Sequence, residues 1–70
     1  MNRQSERVLS YMRANGSITT LQAFENLGVT RLSARIWDIR HDGHLVSASH
    51  RTVLNRHGER TSVCVYRLVG

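Results

Sequence analysis

The 70-residue sequence contains no proline, no lysine and a single cysteine, and no low-complexity run interrupts it. With 40% hydrophobic content it has room for one compact domain, over residues 1–70, and none for a second. So short a chain buries too little apolar surface for a wide stability margin, so close packing, a partner or a ligand must supply the rest. Cys64 has no disulfide mate within the chain and reads as a small buried hydrophobe. A lone cysteine, together with the lack of an apolar N-terminal segment, leads to the expectation of a reducing cytoplasm, with no signal peptide and no membrane span.

Signs of catalysis and of cofactors are also missing. The carboxylates Glu6, Glu25, Asp38, Asp42 and Glu59 are scattered and suggest no acid/base pair. His41 and His44 are three apart, with His50, His57 and Cys64 further on, but neither Cys-x-x-Cys nor His-Glu-x-x-His spacing occurs; surface histidine is the plain reading, with no metal and no cofactor. Cys64 has no activating neighbour in the sequence, and no glycine-rich phosphate loop is present. A non-enzymatic role is expected.

What the chain has in excess is arginine. Ten basic residues against five acidic ones give a formal charge of +5 and a pI near 11.1, which suits a polyanion. All ten are arginines, whose planar fork of donors matches phosphate and the guanine edge better than a lysine point charge does. A GC-rich genome, which writes arginine for lysine, is the competing explanation. The charge recurs as Arg31, Arg35 and Arg40 in one segment and as Arg51, Arg56 and Arg60 in another.

Hydrophobic spacing predicts three helices and then a change of period. Val8, Leu9, Tyr11 and Met12 make one apolar stripe over about 3–14, with Asn2 or Ser5 as a cap and Asn15-Gly16 as the stop. Ser17 to Thr20 reads as a short extended link and a cap. Leu21, Ala23, Phe24 and Leu27 form the apolar face of a second helix over about 20–27. At Gly28-Val29-Thr30 glycine permits a sharp corner, valine plugs the gap between helices and threonine caps the next. A third helix over about 31–42 buries Leu32, Ile36 and Ile39 and ends before Gly43. Arg31, Ser33, Ala34, Trp37, Asp38 and His41 then point away from that stripe, with Arg35 and Arg40 on its flanks. Alternating residues at 45–49 and 62–69 predict a hairpin over about 44–69, in which Cys64, Tyr66 and Leu68 share a face and the tip Asn55 to Arg60 is basic.

Two short helices joined by a glycine corner, the second bearing arginines on its free face, are the parts of a helix-turn-helix, and a basic-tipped hairpin directly after them is a wing. The expected fold is α+β, a winged helix-turn-helix, and the expected partner is double-stranded DNA. Arg31, Ser33, Ala34 and Trp37 are the candidates for reading bases in the major groove. Thr19, Thr20, Gln22, Thr30, Arg35 and Arg40 are candidates for the phosphate backbone, and Arg56, His57 and Arg60 for contacts from the wing.

The stretch Gly16 to Ile36, Asp38-Ile39-Arg40 and Gly43, with the later Asn55-Arg56, Gly58-Glu59 and Tyr66-Arg67-Leu68, resembles the small helix-turn-helix domains common in phage and prophage genes of bacteria. The resemblance covers nearly the whole chain. It implies a stand-alone winged domain of phage type that acts as a transcription regulator in the bacterial or phage-infected cytoplasm.

Competing readings stand beside these. Arg35 with Asp38, and Arg31 with Glu25, are placed to form surface ion pairs, worth only ~0.5 kcal/mol. Arg40 is placed to favour the negative end of its helix dipole. Trp37, a large aromatic on a free face, requires a partner: the hairpin, a homodimer mate or DNA. A protein-interaction module that holds a host protein through Trp37, or an excisionase-like factor that bends DNA, would use the same surfaces.

Overall fold

The computed structural model describes residues 2–69; Met1 and Gly70, the ends of the expected domain, lie outside the described residues. The elements are α1 (Arg3–Asn15), β1 (Ser17–Thr19), α2 (Thr20–Leu27), α3 (Leu32–His41), β2 (Val46–Leu54) and β3 (Arg60–Leu68). Three helices stand beside an antiparallel sheet of order β1-β3-β2, an α+β winged helix-turn-helix.

The ends of α1 and α2 follow from local chemistry. Asn2 Oδ1 accepts from Ser5 N at 2.7 Å and caps α1. At α2 the bonds are reciprocal: Gln22 N donates to Thr19 Oγ1 at 3.1 Å and Thr19 N donates to Gln22 Oε1 at 3.0 Å. Gly28 ends α2 at φ 68°, letting its own N–H reach Phe24 O at 3.1 Å and the next N–H, of Val29, reach Ala23 O at 3.0 Å. That corner turns Val29 fully inward, where it plugs the space between the helices.

The third helix begins differently from expectation. Its N-cap position falls on Arg31, at φ −120° and ψ 64°, and no side chain caps it. Thr30 is exposed one residue further upstream, so its hydroxyl is not the expected cap.

Val8, Leu9 and Met12 of α1, Ile18 of β1, Ala23 of α2, Val29, and Leu32, Ile36 and Ile39 of α3 make the core, with Tyr11, Leu27, Val46, Tyr66 and Leu68 packed against it. Two residues expected in it are not. Leu21 and Phe24 are 60% and 58% exposed. Ala23 is the α2 residue with no exposure, and at about 100° per residue Leu21 lies nearly opposite it while Phe24 lies well to one side. A small side chain at the centre of the contact lets the helix approach closely; the two large ones are left outside it, Leu21 on the far side and Phe24 on the flank.

Ser17 to Thr19, read from the sequence as an extended link, is a strand. Its partners are Ser17↔Arg67, Ile18↔Tyr66 and Thr19↔Val65, so β3 becomes the central strand and Val65 is buried. Cys64 is only half-buried; its cross-strand neighbour, His50, is exposed and lies beyond the Ala48–Tyr66 pair at which the sheet still meets the core. The Tyr66 hydroxyl is held above the ordinary tyrosine range by its hydrogen bond with Cys64 and by burial, with Arg40 opposing.

The positive φ at Gly28 generates a stability prediction. A Cβ there would meet nothing within 4 Å, so the strain of a substitution is in the backbone alone. Gly28→Ala should cost about 1–2 kcal/mol, and Gly28→Asn less, since asparagine tolerates the left-handed region. Urea unfolding of the two variants checks this; equal stability of Gly28→Ala and the parent would refute it.

Candidate nucleic-acid interface

Burial of Leu32, Ile36 and Ile39 sets the rotation of α3, so the opposite arc is determined. At about 100° per residue its centre is Ala34, Trp37 and His41, with Ser33 and Arg40 on one flank and Asp38 and Arg35 on the other, while Thr30 and Arg31 precede the first helical residue. Arg31 and Ser33 are exposed and Ala34 is half-buried. Trp37 is 59% exposed. Its ring stacks on that of His41, one turn along, with centroids 3.7 Å apart and planes at 29°. The crown of the helix is therefore an aromatic pair. His41, on the free arc but absent from the candidates picked by sequence, is half of it; the signal was its i,i+4 spacing from Trp37.

Arg35 and Arg40, on the flanks, have partners within the molecule. Arg35 Nη1 donates to Gln4 Oε1 at 3.1 Å, and Arg35 Nε lies 3.3 Å from Asp38 Oδ2, an ion pair without hydrogen-bond alignment. The same Asp38 oxygen accepts from Ser5 Oγ at 2.9 Å and is approached by Asn2 Nδ2 at 3.5 Å. Ser5 is fully buried. The Arg35–Asp38 pair foreseen three residues apart thus forms, and it clasps α3 to the start of α1. Arg40 Nη2 donates to Val46 O at 2.9 Å, where the wing leaves the body. Arg31 has no ion-pair partner among the described residues, and its alternative pair with Glu25 is not formed.

At the start of α2, Thr19 and Gln22 satisfy each other in the capping pair, and Thr20 is exposed. The wing, β2 paired with β3 over nine residues, carries Arg51, Arg56, His57 and Arg60, all exposed. Its tip is closed by Asn55, whose N–H donates to Glu59 O and whose Oδ1 accepts from the N–H groups of His57 and Glu59 at 2.9 and 3.0 Å. Gly58, at φ 75°, completes the turn and donates to Asn55 O. Among the described residues no three His, Cys, Asp or Glu side chains gather as metal ligands would, and no helix is long and apolar enough to cross a membrane.

The clasp on Asp38 should behave as a unit. Asp38→Ala leaves the buried Ser5 hydroxyl without an acceptor, a loss of about 1–3 kcal/mol, whereas adding Ser5→Ala should cost much less than the sum of the single changes. A double-mutant cycle by denaturant unfolding tests this, and strict additivity would show that the two side chains are independent.

Comparison with known proteins agrees with this geometry. Searches of curated proteins and of solved structures found no match. A family model described as a winged helix-turn-helix domain matches residues 3–70, which spans every element described above. With that match over its helices, corner and wing, the chain belongs to the winged helix-turn-helix domain family, a DNA-binding fold.

Proposed function

We propose that the protein binds double-stranded DNA sequence-specifically, as a phage-type transcriptional regulator of the cytoplasm, with α3 in the major groove and the wing on the backbone or minor groove. The observation that carries this reading is the outer face of α3. Three residues of the helix are spent on the core, while Arg31, Ser33 and Trp37 are left free at its start and crown. The phage-type and regulatory parts rest on the sequence resemblance.

Each residue has a role that its chemistry supports. Arg31 offers a guanidinium fork to a guanine edge, Ser33 a hydroxyl to either base type, and Ala34 and Trp37 apolar contact with a thymine methyl. Thr20 and Thr30 offer free hydroxyls to phosphates, and Thr19 and Gln22 set the first turn of α2 from which a phosphate is met. Arg35 and Arg40, held by Gln4, Asp38 and Val46, add to the positive field more than to direct contacts. Arg56, His57 and Arg60 reach the backbone from the wing tip.

Exposure of Trp37 favours one second reading, in which this face anchors another protein, whether a host factor or a second copy of the chain. Salt separates the two. Duplex binding should give a log–log salt slope of about −3 to −6, from −0.9 per phosphate. Absence of duplex binding at low salt would favour the protein partner.

Base reading by α3 makes a sharper prediction. Arg31→Ala should lower affinity for a selected duplex by about 1–3 kcal/mol, relax the preference at one base pair and leave random-sequence binding nearly unchanged. An equal loss on both duplexes would make Arg31 a phosphate contact only. Trp37 is the sole tryptophan, so its emission reports directly whether the crown of the helix meets DNA.

A further inference from the structure

We infer that Leu54, at the tip of the wing, is an apolar wedge that enters the minor groove, partly unstacks one base step and bends the duplex. This rests on the DNA-binding reading above and adds an activity to it.

Leu54 is 69% exposed at the last position of β2. The apolar residues of the hairpin packed against the core, Val46, Tyr66 and Leu68, all sit at its opposite end. Ala48 is the last β2 residue across from one of them, its partner being Tyr66. From there six residues of extended chain carry Leu54 about 20 Å outward. Nothing in the fold needs a leucine there. On an edge strand, which β2 is, an exposed apolar side chain also invites pairing with other chains.

Charge around the leucine identifies its occupant. Arg60 stands directly opposite Leu54 in the register, Arg56 follows two residues on and Arg51 lies three residues back on the other face of the ribbon. Glu59 is the only carboxylate in the same stretch. An apolar side chain with Arg60 directly across from it and Arg56 in the adjoining turn complements a groove with phosphate walls and stacked bases within. Nor is the tip loose, because the Asn55 bonds hold the turn that presents it.

Reach agrees with this placement. The wing is tied to the end of α3 by the Arg40–Val46 bond. Half a turn of B-DNA, about 17 Å, separates adjacent major and minor grooves, a span that the ~20 Å of strand between Ala48 and Leu54 is long enough to cross. Leucine is among the side chains that wedge between base steps, and unstacking is easiest at pyrimidine–purine steps such as TA. The wedge therefore adds a preference for such a step at a position that α3 does not touch.

The test uses the full chain and an end-labelled duplex of about 30 bp with a central TA step, with 2-aminopurine placed at that step. Energy transfer between the ends gives the bend, and 2-aminopurine emission gives the unstacking. The unaltered protein should bend the duplex by about 20–90° and raise the emission. Leu54→Ala should at least halve the bend and keep the emission flat while retaining the melting temperature and the salt slope; Leu54→Met should keep the bend. Replacing Arg56 and Arg60 with alanine should instead reduce the salt slope by about one to two. A bound but straight duplex, or a bend unchanged in Leu54→Ala, overturns the wedge and leaves DNA binding intact. Failure of the unaltered protein to bind the duplex at low salt overturns the underlying reading as well.

Discussion

Burial of Leu32, Ile36 and Ile39 is the constraint from which the rest of the surface follows. Removing a side chain of this size from water is worth about 1.5–3 kcal/mol, several times an exposed ion pair. Rotation of α3 is therefore decided by its apolar stripe, and its polar residues take whatever arc remains. Trp37 and His41 fall at the centre of that arc, and Arg31 at its leading edge.

Within this frame the arginines divide by what stands beside them. Arg35 reaches the start of α1 and joins Asp38, which also accepts from the buried Ser5 hydroxyl. Arg40 reaches the first residue of the wing. Both hold α3 in place relative to its neighbours. Arg31, Arg51, Arg56, Arg60 and Arg67 are exposed and leave their charge on the outside. One residue type thus serves two ends: short intramolecular struts near the recognition helix, and a positive field spread over helix and wing.

The wing depends on a small piece of sheet at its root. By pairing with β3, the three residues of β1 place it in the middle of the sheet, and Ile18 beside Tyr66 ties this sheet to the helical core. A two-stranded ribbon by itself is marginal in water, and a third strand with a packed face supplies what it lacks. The far half of the hairpin has no such support. Its shape comes from ladder bonds and the Asn55 turn, which is why its side chains are free for a partner.

Periodicity made the order of helices and hairpin legible, because spacings of three and four and then of two leave a trace over ten or more residues. The corner at Gly28 and the stripe of α3 are local in the same sense. Three residues of β1 are too few to show alternation, and their partner lies some fifty positions away. Leu21 and Phe24 look like core to any count of apolar spacing; only the close approach of α2 at Ala23 decided that they stay outside. Likewise, charge composition marked the arginines as a group. Which of them are spent on Gln4, Asp38 or Val46 was decided by the packing of α1 and the wing root against α3, since ion pairs and hydrogen bonds across elements exist only once burial has set the distances between them.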